Sequence, residues 1–264
     1  MIRAAILVML LVAGCAPDIM DTDFFREHPI ETDPEDTSVE LGVLEDGPLA
    51  IRLTASDSLR IGINTISAEV KVDQAPVLQA DVTLSPQWIA AGRTIVSPLD
   101  AGELEITDTP GRFVGAPLFV QPQDEKGVWQ LQITYAASGE SGEAVLAVQI
   151  KPSLWVQYTG EYYVSWILPV RPETGLDEIE LGLHRLTDEG FVPLEDATLD
   201  LYPWMDMGAG QGHSTPYEAP IHMRDGRYRG SVNFIMSGGW DMTVFIQRPG
   251  MPLDTIDFKG FVVY

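Results

Sequence analysis

Trp129-Gln-Leu-Gln-Ile-Thr-Tyr135 sets an apolar side chain at every second position, with polar residues between. That period of two belongs to a strand with one face in a core and the other in water. The pattern continues in both directions from this stretch. Leu49-Ala-Ile-Arg-Leu53, Ala144-Val-Leu-Ala-Val-Gln-Ile150, Glu178-Ile-Glu-Leu-Gly-Leu183 and Ser231-Val-Asn-Phe-Ile235 are short runs of the same kind. No window keeps a 3.6-residue apolar face for three turns, and 24 Gly and 19 Pro punctuate the chain. The expected class is all-β, built as a sandwich of two sheets.

Comparison of the chain with itself divides it. Gly111-Arg-Phe-Val-Gly115 recurs as Gly226-Arg-Tyr-Arg-Gly230, and each is followed by a strand and a Gly/Trp signal (Gly127-Val-Trp129 against Gly239-Trp240). Upstream, Ala80-Asp-Val-Thr-Leu-Ser-Pro86 matches Ala197-Thr-Leu-Asp-Leu-Tyr-Pro203 with the same spacing. Tandem Ig-like β-sandwiches are therefore expected, the first over residues 48–150 and the second over 151–264, as two copies of one unit. The matched tryptophans read as core plugs between sheets.

The N-terminus carries an address. Met1-Ile2-Arg3 leads into an apolar run from Ala4 to Ala13 and then Gly14-Cys15. One positive charge, a short apolar core and small residues make a secretory signal peptide, residues 1–14, too short to be a spanning helix. Val12-Ala13-Gly14-Cys15 resembles the lipobox of bacterial lipoproteins. That resemblance implies lipidation of Cys15, cleavage before it, and a membrane anchor in the cell envelope facing the periplasm. Ala16, rather than Asp, after the lipid site favours the outer membrane in a Gram-negative source. Cys15 is the only cysteine, so no thiol remains for a disulfide, a thiolate metal site or a nucleophile. From Cys15 to Gly47 the chain is acidic and interrupted by Pro17, Pro29 and Pro34, which reads as a disordered linker. A formal charge of −23 repels phosphate backbones and excludes nucleic acid as a partner.

The second unit holds side chains that the first lacks. After Pro203 it reads Trp204-Met205-Asp206-Met207-Gly208-Ala209-Gly210-Gln211-Gly212-His213, where the first has Gln87-Trp88-Ile89-Ala90-Ala91-Gly92. In extended backbone Met205 and Met207 project to one side, and the glycines let His213 fold back toward them. Thioether and imidazole form a soft, neutral ligand set that suits Cu(I) over Zn(II), Ca(II) or Mg(II). Met236 or Met223 is a further sulfur within the same unit. Packing is the competing account, since Met is a common core filler. Met236 and Met242 are read as strand residues for which packing serves better, and His184 and His222 as exposed.

The stretch Leu201 to Ile246 resembles the YtkA-like domain, an Ig-like β-sandwich of exported bacterial proteins related to FixH. The motif residues are Pro203, Met205-Asp-Met207-Gly208, His213, Pro216, Gly226-Arg-Tyr228-Arg-Gly230 and Met236-Ser-Gly-Gly-Trp240. The resemblance implies heavy-metal handling, in several relatives near copper-oxidase assembly. The first unit keeps Pro86, Phe113 and Trp129 but none of the soft ligands.

Catalytic signatures are missing: there is no Gly-x-Ser-x-Gly elbow, no His-Glu-x-x-His and no phosphate-cradling loop. The expected protein is a non-enzymatic, lipid-anchored lipoprotein. It binds copper transiently as Cu(I) at Met205, Met207, His213 and Met236, as chaperone or buffer, and meets an unknown envelope protein. Two readings compete: a metal-free adaptor for protein–protein interaction, and a subunit accompanying an efflux complex.

Overall fold

The computed structural model describes residues 38–99, 102–121, 127–208 and 210–264. The signal segment, Cys15 and the linker up to Thr37 lie outside the described residues. Within them the regular structure is all strand. The first half holds β1 (Val39–Asp46), β2 (Leu49–Ala55), β3 (Gly62–Ile63), β4 (Ile66–Val72), β5 (Ala75–Pro76), β6 (Ala80–Ala90) and β7 (Arg93–Val96). It continues with β8 (Gly102–Glu103), β9 (Glu105–Ile106), β10 (Arg112–Gly115), β11 (Leu118–Phe119), β12 (Gly127–Ala137) and β13 (Glu140–Val148). The second half holds β14 (Val156–Tyr158), β15 (Tyr163–Leu168), β16 (Gly175–Thr187), β17 (Gly190–Pro193) and β18 (Thr198–Gly208). The last five are β19 (Gln211–His213), β20 (Tyr217–Arg224), β21 (Arg227–Phe234), β22 (Gly238–Gln247) and β23 (Asp254–Val263).

Each half has two main antiparallel sheets around its own core, and the first adds a two-stranded sheet of β3 and β11 and a short β8 on β6. In the first, the sheet β1-β2-β4-β10-β9 faces the sheet β13-β12-β6-β7. In the second, β14-β15-β16-β21-β20 faces β23-β22-β18-β19. The two orders correspond strand for strand, even to a small edge strand off the first sheet, β5 on β4 and β17 on β16. One core draws on residues from Leu49 to Ile150 and the other on residues from Tyr162 to Val263. Alternation does what strand geometry requires. Trp129, Leu131, Ile133 and Tyr135 of β12 are buried, and so are Trp240, Met242, Val244 and Ile246 of β22. Both tryptophans fill core centre and satisfy their indole N–H on backbone carbonyls: Trp129 Nε1 donates to Gln121 O at 2.8 Å, Trp240 Nε1 to Met236 O at 3.0 Å.

Tight hairpins join neighbouring strands. Ala91-Gly92, Ser138-Gly139 and Asp225-Gly226 all place two successive residues at positive φ, the backbone that matches strand twist in a two-residue turn. The halves are tied through the segment between them. Lys151 N donates to Leu59 O and Ile61 N to Lys151 O, both at 2.9 Å. Gly62 leaves room for Trp155, whose Cβ would lie 2.7 Å from any Cβ placed there.

Two expectations are corrected here. The acidic linker does not extend to Gly47, because β1 pairs along β2 from Val39 to Asp46. A bulge between Glu40 and Gly42 breaks the alternation, so Leu41 and Leu44, both packed on the core, stand three residues apart and hide the period of two. His184 is not exposed: it is 2% accessible on β16, with Nε2 3.2 Å from Asp225 O. Glu180 on the same strand is buried between the guanidinium groups of Arg227 and Arg229.

Burial pulls the His184 pKa from 6.5 down to about 4, against the weaker upward pull of the Asp225 carbonyl. A histidine held neutral in the fold titrates first in the unfolded chain. The fold is thus undisturbed above about pH 6.5 and loses stability as pH falls toward 4, by about 3 kcal/mol at pH 4 from this residue alone. Urea unfolding at pH 7 and pH 4 should show His184→Leu losing about 3 kcal/mol less than wild type over that interval. Parallel losses in the two proteins would contradict the assignment.

Candidate metal centre

The site begins at the end of β18. Leu199, Leu201 and Pro203 alternate into the core, so Met205 follows on the same inward side and packs against that core half-buried. The chain then turns. Asp206 Oδ1 accepts the Gly208 N–H at 2.8 Å, and Gly208 and Gly210 take φ of 84° and 72°, which only glycine adopts freely. The returning strand β19 brings His213 directly opposite Met205. Opposed residues of an antiparallel pair share a face, so thioether and imidazole stand side by side on the inward face.

A third element closes the corner. Trp204 pairs with Asp241, which sets Met205 beside Trp240. The His213 ring meets the Trp240 ring edge-on, with centroids 5.6 Å apart at 80°. The Met205 methyl lies against Gly238, where a Cβ would come within 2.8 Å of it. His213 Nδ1 is 3.2 Å from Ser214 O. In the tautomer with the proton on Nδ1, that nitrogen donates to Ser214 O and Nε2, for which no hydrogen bond occurs among the described residues, keeps its lone pair. A backbone carbonyl holding one ring nitrogen while the other is left to bind is the usual arrangement of a ligating histidine.

The corresponding corner of the first sandwich shows what these residues replace. Pro86 pairs with Leu131, and Pro203 pairs with Met242. Two residues on, Trp88 stands where Met205 does, opposite Trp129 and Ile95. Trp88 and Ile95 are 3% and 8% accessible, a closed apolar corner. The glycine cradle is shared as well: a Cβ on Gly127 would meet the Trp88 ring at 2.5 Å, as one on Gly238 would meet Met205. The second sandwich thus exchanges an indole and a butyl group for a thioether and an imidazole, on an otherwise common frame.

The remaining candidates differ in place. Met207 lies two residues beyond Met205, inside the register shift between Asp206 and Gly208, and is 62% accessible. Met236 is not a strand residue in the core, contrary to its sequence reading. It sits exposed in the turn between β21 and β22, ahead of Gly238 and with its carbonyl holding Trp240. Alternation misled because β21 ends at Phe234 and the turn begins one residue later. Met242 is core. Met223 is remote: its neighbour His222 faces Glu195 at 3.9 Å, before the start of β18, and about 23 Å of strand separates Thr198 from Met205. No cluster of three or more His, Cys, Asp or Glu suited to a metal occurs among the described residues, so a metal here would rest on sulfur and imidazole. Sequence reading missed Gly238 and Trp240 as walls of this corner. The signal was available in the matched prolines, two residues after which Trp88 becomes Met205.

Known proteins bear on the second sandwich. Residues 161–245 match the family model described as YtkA-like. No curated protein matches the chain. Among solved structures, domains 5–6 of the S-layer protein SbsC are 9% identical with a TM-score of 0.33, over 86% of this chain and 98% of that one. The adhesin InvE of Yersinia pseudotuberculosis is 8% identical with a TM-score of 0.26, over 77% and 55%. The adhesin FdeC of Escherichia coli is 10% identical with a TM-score of 0.26, over 86% and 82%. The segment matched by the YtkA-like family model, residues 161–245, is the one that carries Met205, Met207, His213 and Met236.

Proposed function

We propose that the chain is an exported, lipid-anchored copper-binding protein without enzymatic activity, and that its second sandwich takes up Cu(I) transiently at the Met205–His213 corner. The observation that supports this most is the exchange of Trp88 and Ile95 for Met205 and His213 on one glycine cradle. Core packing alone has no need of an imidazole there, since the first sandwich closes the same corner with apolar groups. The donor chemistry fits a soft monovalent ion. Thioether and neutral imidazole bring no charge, and Cu(I) prefers them to carboxylate oxygen. Met205 and His213 would hold the ion, with Met207 and Met236 as exposed sulfurs able to exchange it with a partner. The copper itself supplies only the cargo; the chain's residues bind and orient it. In this reading the first sandwich is a degenerate copy that spaces or docks the second, and lipid on Cys15 holds both at a membrane facing the periplasm.

A metal-free adaptor is the competing reading, favoured by the contact of the Met205 methyl with Gly238, which satisfies that side chain without any ion. The two separate by substitution. Competition for Cu(I) against a chromogenic chelator, using the chain from residue 16 onward, should show one tight equivalent. Met205→Leu keeps the packing volume, so stability should move by less than about 1.5 kcal/mol. Copper affinity should still fall at least about tenfold, or 1.4 kcal/mol, and His213→Ala should lower it as much. Wild-type affinity in both variants would support the adaptor. For the anchor, Cys15→Ser should shift the protein from the membrane fraction to the soluble fraction on cell fractionation; retention in the membrane would contradict lipidation at Cys15.

A further inference from the structure

Each main sheet ends on edge strands whose outer N–H and C=O groups have no strand beside them among the described residues. Such edges invite pairing with another chain unless something blocks them. Most of these are blocked. β7, β9, β14 and β19 have four residues or fewer. β1 carries the bulge between Glu40 and Gly42 and the charges of Glu40, Glu45 and Asp46. β20 contains Pro220 and register shifts on both sides of Ile221, and proline takes a donor out of a ladder. β23 has a register shift opposite Trp240 and Met242, Gly260 at a φ of 68°, and Asp254, Asp257 and Lys259 along its length.

β13 holds the same place in the first sandwich that β23 holds in the second, and it has none of these devices. Its nine residues, Glu140–Val148, pair with β12 without a register shift. It contains no proline and no lysine, and its charges, Glu140 and Glu143, lie in its first half. Val145 is 57% accessible on the outward side, and Ala144 and Leu146, packed on the core, are still only half-buried. Between Glu143 and Glu161 no further Asp or Glu occurs, so the negative charge that repels one copy of this chain from another is thin along this edge.

We infer that β13 pairs antiparallel with β13 of a second copy, joining two β13-β12-β6-β7 sheets into one across a twofold axis. The occupant of a bare strand edge is another strand, because extended backbone presents N–H and C=O groups at the matching spacing. The sequence of β13 suits a copy of itself. A twofold axis normal to the sheet keeps outward residues beside outward residues. Centred on Leu146, it sets Val145 opposite Ala147, Ala144 opposite Val148 and Glu143 opposite Gln149. Small apolar residues then meet along the middle. At each end the Gln149 amide donates to the Glu143 carboxylate, which already accepts from Gln132 at 3.0 Å. No carboxylate faces another. Beyond Gln149 the chain leaves the edge, since the Lys151 backbone bonds to Leu59 and Ile61, which confines the pairing to residues 143–149. One short strand pair buries less than a standard stable interface, so the association is weak and reversible.

Sedimentation equilibrium of the metal-free chain from residue 16 onward, over a rising concentration series, should show monomer passing to dimer. Val145→Glu brings two carboxylates diagonally together across the axis from an exposed position, so it should keep the fold and weaken dimerisation at least about tenfold. Val262→Glu makes the same change at an exposed position of β23 and should leave dimerisation as in wild type. Cysteine reads the register. The chain has no thiol after Cys15, and an equimolar mixture of Val145→Cys and Ala147→Cys should form disulfide-linked dimers faster than either variant alone. A monomer at every concentration would overturn the proposal, whether the edge then stays bare or accepts a strand of another protein. So would a dimer that Val145→Glu leaves unchanged, or one that Val262→Glu abolishes.

Discussion

In each half two sheets close over a tryptophan, and the halves differ in what stands beside it. In the first sandwich Trp129 is covered by Trp88, seated on Gly127, and the corner is shut. In the second, Trp240 is flanked by Met205, seated on Gly238, and by the ring of His213. A thioether fills less of the cradle than an indole, and an imidazole brings a lone pair to a place where the first sandwich has only Ile95. The main strand orders of the two sandwiches correspond, with β3, β8 and β11 added in the first. The backbone differs there in one respect, since β6 and β7 pair regularly while β18 and β19 carry a register shift between Asp206 and Gly208.

The same comparison separates residues that serve packing from residues that do not. Positions inside the cores keep their character between the halves: Trp129 and Trp240, Leu131 and Met242, Phe113 and Tyr228 are all buried. Positions on both faces of the β6 and β18 strand change theirs. Inward, Trp88 becomes Met205; outward, Ser85 and Gln87 become Tyr202 and Trp204. Sheet formation accepts either set, so the second sandwich's choices need a reason beyond folding. On the inward face, the reason proposed is the binding of a soft metal ion.

Much of this was legible in the sequence because strands write their burial directly into a period of two. The alternation of Trp129 to Tyr135 gave the class, and the Gly-Arg-aromatic-x-Gly and proline matches pointed to the corresponding strands. What was hidden had local causes. The bulge at Glu40–Gly42 put β1 out of phase with the rule. His184 read as exposed because a polar residue in an alternating strand is assigned to water; here the outward face of β16 is itself covered and holds Glu180 with its arginines. Met236 read as strand because apolar neighbours run past the point where the strand stops. Cross-strand pairing of Met205 with His213 depended on a glycine turn whose register, shifted between Asp206 and Gly208, no spacing rule fixes.

X-ray absorption at the copper edge, on the Cu(I)-loaded chain from residue 16 onward, addresses the central claim at the atoms concerned. The account predicts a first shell that mixes sulfur with an imidazole nitrogen, with sulfur scattering diminished in Met205→Leu and the imidazole signature lost in His213→Ala. A shell of nitrogen and oxygen alone, or one that neither substitution alters, would mean that the thioether and imidazole at this corner do not hold the metal.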